Sequence, residues 1–337
     1  MLRRKRFWLG LAISAAFLAF FLARTNFDEI REAFAGADYA LAVAAVPIYF
    51  AAYWLRALRW RMLLSPVKSV STARLYPVVI IGLMANNVAP MRLGEFVRAY
   101  LAGERESMSK STAFGTIAVD RAFDGLTLVA ILGVSTAIAS TDSGRQSLGV
   151  AAALLFFAGV GVLIALAYAP ERCSRLIMRM AALAPARLAS KAEGLLESFL
   201  AGLVALRRPR VLVLAGVASF ASWIVEATMY YVVGQAFHLD VGFDVYLIIV
   251  AAANLALSVF ASPGGVGPFE LATQTVLVDF GVSTASASAY AIALHALLLA
   301  PVVVIGFLLL WSMHFSFRQI MGISEKAQPV RPREVVE

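Results

Sequence analysis

Apolar residues run along this chain in long blocks, and charged residues gather in short clusters between them. Blocks at residues 7–23, 39–55, 111–140, 147–169, 211–237 and 285–313 come close to or exceed the roughly 20 residues that carry a helix across a bilayer. The pattern predicts an all-α polytopic integral membrane protein with about six full transmembrane helices. Two further apolar blocks are broken. Residues 75–90 are too short to cross and run into N-N-V-A-P-M-R-L-G-E-F-V-R, from Asn86 to Arg98. Residues 254–281 contain S-P-G-G-V-G-P-F-E at positions 262–270. Proline removes a backbone donor and glycine lowers the cost of a left-handed turn, so no helix passes through that second stretch. At membrane depth such backbone is tolerated only where protein or a water-filled cavity covers it. The expectation is two re-entrant hairpins, 75–101 and 254–281, with a site at their tips.

Composition agrees with a membrane class: 61% of the 337 residues are hydrophobic, 15% are charged, and mean hydropathy is +0.80. The net charge of +8 invites a nucleic-acid reading, but the positions of the cations argue otherwise. With the N-terminus in the cytoplasm, 23 of the 29 Lys and Arg fall in the cytoplasmic segments 1–6, 56–74, 104–110, 170–210 and 318–337. Arg24, Arg31 and Arg145 fall outside, and Arg92, Arg98 and Arg121 within the membrane. This is the positive-inside bias, and it puts both termini in the cytoplasm. Anionic lipid headgroups at the cytoplasmic face are secondary partners. Arg56, Arg59 and Arg61, beside Trp54 and Trp60, are expected as interfacial anchors that end the second span.

The rest of the organisation follows from breaks in the pattern. Residues 1–6 are basic and lead into an uncleaved helix, since no small-residue cleavage site follows. Residues 170–210 combine eight Lys and Arg with apolar residues at helical spacing, as expected of amphipathic helices on the bilayer surface. Residues 321–337 are expected to be a disordered cytoplasmic tail after a single membrane domain over 1–320. Aligning Pro90 with Pro263 also brings Gly94 onto Gly267, Phe96 onto Phe269 and Ala99 onto Ala272. A tryptophan-bearing span precedes each hairpin. By the charge count the hairpins enter from opposite sides, so the halves 39–140 and 211–313 read as an inverted repeat, an arrangement that sets substrate sites near the midplane.

Ionisable residues inside spans each cost at least about 2.5–3.5 kcal/mol on insertion scales, so each needs a partner or a task. Arg92, Glu95 and Arg98 lie at the first hairpin, Asp120, Arg121 and Asp124 on the long helix, Glu226 on a later span, Glu270 after the glycines and His295 on the last span. Asp120 and Asp124 share a helix face, and Arg121 reaches Asp124 at i,i+3. With Arg56, Asn86, Asn87 and Asn254, and with Gly264, Gly265 and Gly267 at the turn, they are the candidate substrate-binding residues of a polar cavity. Arginines there would hold an anionic headgroup, and carboxylates a cationic group or a proton. The bland alternative is a set of ion pairs that only tie the bundle together. No cofactor or metal is expected, because His238, His295 and His314 are far apart and the single Cys173 has no ligand-like neighbours. A potassium-type filter and a phosphate loop are equally unsupported.

The W-L-R-A-L-R-W run at 54–60, Asn86-Asn87 with Gly94-Glu95, Asp120-Arg121 with Asp124, and S-P-G-G-V-G with Glu270 together resemble the lysylphosphatidylglycerol synthase transmembrane, flippase-type, domain family. The resemblance covers residues 5–320 and implies a stand-alone domain, since the soluble aminoacyl-transfer domain of bifunctional members is not found after residue 320. It implies a lipid translocase that moves a phospholipid or other polar lipid between leaflets. A membrane-embedded transferase acting on a lipid-linked substrate, and a non-catalytic partner of a lipid-synthesis complex, stand as the other readings. Self-association is left open.

Overall fold

The computed structural model describes residues 21, 27–88, 93–139, 143–169, 171, 200, 204–259 and 263–315, and side chains for these except at 27, 139, 143–149 and 263. Every described regular element is helical. The helices are α1 (Phe27–Ala35), α2 (Tyr39–Ala44), α3 (Val46–Leu64), α4 (Thr72–Val88), α5 (Gly94–Glu106), α6 (Lys110–Ala139), α7 (Ser143–Tyr168), α8 (Pro209–Ala236), α9 (Phe243–Val259), α10 (Pro268–Asp279) and α11 (Thr284–Ser312). The chain is an all-α polytopic membrane protein. Four stretches, Tyr39–Leu64, Val150–Tyr168, Pro209–Ala236 and Thr284–Ser312, are long and apolar enough to cross a bilayer. Helix α6, with 30 residues, is about 45 Å long and carries its charges in its first half. The expected first span at 7–23 apart from residue 21, the tip of the first hairpin with Pro90 and Arg92, most of the amphipathic segment 170–210 and the tail lie outside the described residues.

Local chemistry sets the boundaries. Asp38 caps α2 by accepting from the Leu41 N–H at 3.0 Å, and Ser283 caps α11 by accepting from Ser286 N–H at 3.2 Å. Prolines stand in the first turn of α3, α8 and α10, where their missing donor is not needed.

Two helical hairpins, α4–α5 and α9–α10, organise the packing. The two helices of each pack on one another, and the second of each packs on the helix that follows it, α5 on α6 and α10 on α11. Helices α3 and α8, which precede the hairpins, pack against each other at the centre. The first helix of each hairpin then reaches across: α4 lies on α11, and α9 lies on α6. The packing scheme of one half is therefore that of the other with the halves exchanged. Close approach inside the first hairpin rests on two glycines, because a Cβ on Gly94 would run into the Gly82 carbonyl and the Asn86 side chain. The second hairpin turns through Pro263–Gly265, a single 3-10 turn, with Gly264, Gly265 and Gly267 at φ of 63°, 81° and 96°. These are the left-handed angles the glycine-rich sequence predicts.

Both hairpins are longer than the sequence suggests, starting at Thr72 and Phe243 rather than at 75 and 254. The second span is also longer. It runs on to Leu64 and carries Arg56 and Arg59 into the protein, each at most 3% exposed, so these two are not interfacial anchors. Arg61 stays exposed, whereas Trp60 is fully buried.

Candidate functional site

A cavity of about 410 Å³ opens where the two hairpins meet α3, α6, α8 and α11. Its wall combines aromatic faces (Tyr53, Trp223, Tyr230, Phe269) with charged and amide side chains. The glycine turn forms one edge. A Cβ built on Gly264 would lie 3.6 Å from the Asn87 carbonyl at the end of α4, so the turn of the second hairpin touches the first.

On the α6 side the wall is a network of arginines and carboxylates. Arg59 donates from Nε to Asp120 at 2.7 Å, and its Nη1 lies 2.8 Å from Asp124. Arg98 presents both terminal nitrogens to the second oxygen of Asp120, at 3.1 and 3.2 Å, with its guanidinium 4.4 Å from the Trp60 ring. Arg121 bridges Asp120 and Asp124 at 3.4 and 3.0 Å and is 41% exposed in its side chain, unlike the fully enclosed Arg59. Helical spacing explains the focus on one point: Asp120 and Asp124, four residues apart, both face Arg59. The oxygens of Asp124 lie off the N–H axes of Arg59 and Arg121 despite these distances, so the attraction there is coulombic rather than a well-aligned hydrogen bond.

Arg56 forms a separate pair across the interface of α3 and α8. Its Nη2 donates to Glu226 at 2.6 Å, and its guanidinium lies 4.4 Å from Tyr53 and 4.0 Å from Trp223. A planar, weakly hydrated cation between aromatic faces is well suited to a site poor in water. Arg56 Nε and Trp223 Nε1 remain buried donors without a hydrogen-bond partner among the described residues.

Each hairpin end is stapled. In the first, Asn86 accepts from the Gly94 N–H at 2.6 Å and donates to Glu95 at 3.2 Å. In the second, Glu270 accepts from the Gly267 N–H at 2.7 Å, the return half of a capping box in which glycine supplies no side chain. The other Glu270 oxygen lies 2.6 Å from His295 Nδ1, and His295 Nε2 lies 2.9 Å from the Gly264 carbonyl. Phe269 covers the imidazole, with ring centroids 4.6 Å apart.

Of the residues singled out from sequence, Arg56, Asn86, Asn87, Glu95, Arg121, Asp124, Glu226, Asn254, Gly264, Gly265 and His295 line the cavity. Arg98, Asp120, Gly267 and Glu270 stand behind that wall and hold its members, and Arg92 lies outside the described residues. Asn254 donates one of its two amide hydrogens to the Val250 carbonyl of its own helix. Phe96 and Phe269, matched in the repeat, differ in setting: Phe96 is 42% exposed and Phe269 1%. Sequence reasoning missed Arg59, the residue that joins both aspartates, and missed the aromatic wall. The spacing of Arg56 and Arg59, three residues apart on one helix face, was the available signal for Arg59.

The chain matches the model of the lysylphosphatidylglycerol synthase TM region over residues 7–306. It is 29% identical to glycosyltransferase AglD of Haloferax volcanii over 98% of this chain, which spans 58% of that relative's length. It is also similar to two UPF0104 membrane proteins of Methanothermobacter thermautotrophicus, 27% identical over 71% of this chain and 75% of the relative, and 26% identical over 82% and 84%. No solved structure matches. With nearly its whole length inside that family model, the chain belongs to the lysylphosphatidylglycerol synthase transmembrane region family.

Proposed function

We propose that this protein is a lipid translocase that passes a polar lipid headgroup between leaflets through the cavity between α4–α5 and α9–α10. The single observation that carries this reading is the cavity itself: about 410 Å³ lined by charged, amide and aromatic side chains at the contact of two hairpins, among helices apolar enough to span. That volume suits a headgroup, and the acyl chains would stay in lipid. Arg56 Nε and Trp223 Nε1 would meet acceptor oxygens of the headgroup, while Glu95, which takes one hydrogen bond from Asn86 and no ion pair among the described residues, would meet a donor or a cation. The reciprocal packing supports an inverted repeat, with the two hairpins re-entrant from opposite faces and alternating as gates. With Arg56 and Arg59 counted in the interior the cytoplasmic cation count falls by two, and the remaining bias still supports the reading of both termini as cytoplasmic.

The test is leaflet exposure of fluorescent phospholipids in proteoliposomes, using one probe each with an anionic, a zwitterionic and an aminoacylated headgroup. The translocase reading expects at least one probe to equilibrate faster than in protein-free vesicles. A second reading, transferase action on a lipid-linked substrate, is favoured by one observation, the similarity to glycosyltransferase AglD along 98% of this chain. It requires a new lipid species to form when a lipid-linked sugar acceptor and a nucleotide sugar are added. Thin-layer separation of the same vesicles decides between the two.

A further inference from the structure

The His295–Glu270–Gly264 chain fixes how many protons it holds. The Gly264 carbonyl only accepts, so His295 Nε2 must donate across the 2.9 Å contact. His295 Nδ1 and the Glu270 oxygen, 2.6 Å apart, then need a proton between them, on the ring or on the carboxyl. In either form the pair carries one proton more than a neutral imidazole beside a carboxylate, and its net charge is zero. No lysine or arginine lies within ion-pair distance of Glu270 among the described residues, and its side chain is 9% exposed. Among the described residues, the compensation of this buried carboxylate comes from the proton it shares with His295.

We propose that Glu270 and His295 form a proton-binding site whose occupancy clamps the glycine turn to α11. Removing the proton leaves a neutral ring with a single N–H. That N–H stays with the carboxylate, where the hydrogen bond is charge-assisted and stronger, and the Nε2 lone pair then faces the lone pairs of the Gly264 carbonyl. The contact between turn and helix becomes repulsive and the turn is released. Gly265 is tightly placed for such movement, since a Cβ there would lie 2.7 Å from Leu257 and 3.7 Å from His295 Nε2. Proton access is through the cavity, which His295 lines.

The other charged and titratable groups on the cavity wall are Arg56, Tyr49 and Tyr53 from α3, Glu95 from α5, Arg121 and Asp124 from α6, and Glu226 and Tyr230 from α8. The ionised pairs that engage them, Arg56–Glu226 and Arg121–Asp124 on the wall and Arg59–Asp124 from behind it, are built on arginine, which keeps its proton throughout. The acidic residues of α1, which also packs on α11, do not line the cavity. Resting on the translocase reading, the clamp makes the second hairpin a gate coupled to proton movement.

The test is amide hydrogen exchange of the full chain in detergent, followed by mass spectrometry from about pH 5 to about pH 8 and corrected for intrinsic rates. Peptides spanning 263–268 are expected to lose protection about five- to tenfold as pH rises, the yield of one net hydrogen bond, while peptides at Gly94 stay level. Glu270→Gln should flatten the profile. A level wild-type profile, or an unchanged slope in Glu270→Gln, overturns the site. If that variant does not fold, the wild-type profile decides, with His295→Gln as the second variant. The coupling is read separately, in phosphatidylethanolamine–phosphatidylglycerol vesicles carrying a fluorescent phospholipid and an imposed pH gradient. Probe movement in wild type that ignores the gradient overturns coupling. Absence of movement in every condition sinks the translocase reading while exchange still decides the proton site.

Discussion

The two hairpins share a topology and differ in what fastens them. The first is held by groups that keep one charge state: the Asn86 amide at its end and Arg98, whose guanidinium docks on Asp120 and Trp60. The second is held by Glu270 and His295, the pair assigned the shared proton of the proposed site. Even the approach of the helices differs, through Gly82 and Gly94 within the first hairpin and through left-handed glycines at the turn of the second. Related chain paths have thus been given a fixed fastening on one side and a releasable one on the other. If the halves alternate, they do not alternate as equals, and the second hairpin is the one that moves.

The sharpest way to break that comparison is to remove the centre of the fixed side. Asp120→Asn leaves the buried Arg59 with Asp124 alone and the buried Arg98 with no ion-pair partner among the described residues, since both dock on this carboxylate. Breaking a buried ion cluster by removing one partner costs about 3–5 kcal/mol, enough to unfold many proteins. Fluorescence-detected size exclusion after heating should show little surviving monodisperse protein. Replacing Arg59, Arg98, Arg121, Asp120 and Asp124 together with apolar residues of similar size should restore folding, because a whole ion cluster exchanged for hydrophobic packing is often neutral. Probe movement retained in that folded variant would make the fixed side purely structural. Removing only Asp120, Arg121 and Asp124, the change that the sequence alone invites, would strand Arg59 and Arg98.

The next effect in size belongs to the turn. Gly264→Ala forces a side chain into φ of 63°, at a cost of about 1–3 kcal/mol, although the space itself is open to 3.4 Å from Leu299. Gly281→Ala is the control: its φ is 87° and a Cβ would meet nothing within 4 Å, so it pays strain without touching the site. Both variants should lose melting temperature to a similar degree. Only Gly264→Ala should also lose probe movement per folded molecule, and equal losses in both would reduce the turn to a packing feature.

Which parts of this were legible in sequence follows from what a membrane hides. Spans, breaks and left-handed glycines were readable because proline, glycine and charge are conspicuous against apolar surroundings. The helix phase of Asp120 and Asp124 was readable from spacing alone. Arg59 was not, because a W-L-R-A-L-R-W-R run at the end of a span has the composition of an interfacial belt, and the residue that distinguishes it, Asp120, lies 61 positions away. The aromatic wall was hidden for a different reason. Lipid tails and protein interior are equally apolar, so hydropathy does not separate the face of Tyr53, Trp223 and Tyr230 that lines a cavity from one that meets lipid. Glu270 and His295 were both visible as costly residues, but nothing in their separation of 25 positions announced that they meet over Gly264.

The smallest effect on stability is that of Glu270→Gln, and set beside Asn86→Asp at the other staple it bears most directly on the difference between the two. Asn86→Asp keeps the acceptor for the Gly94 N–H but turns the donor facing Glu95 into a second carboxylate. The loss of that hydrogen bond and the new repulsion should cost about 1–3 kcal/mol. Glu270→Gln removes a charge instead of adding one. Its amide oxygen still accepts from Gly267, and its amide nitrogen donates to Nδ1 of a neutral ring whose Nε2–H remains on Gly264. Every polar contact of the second turn is then satisfied without an exchangeable proton, and stability should change by less than about 1 kcal/mol. The expected outcome is a nearly wild-type melting temperature with a turn held closed at every pH and probe movement strongly reduced. Asn86→Asp should show the reverse, a lower melting temperature with movement per folded molecule largely kept. If Glu270→Gln moves lipid at the wild-type rate, the releasable fastening has no part in transport, and the two hairpins differ in composition alone.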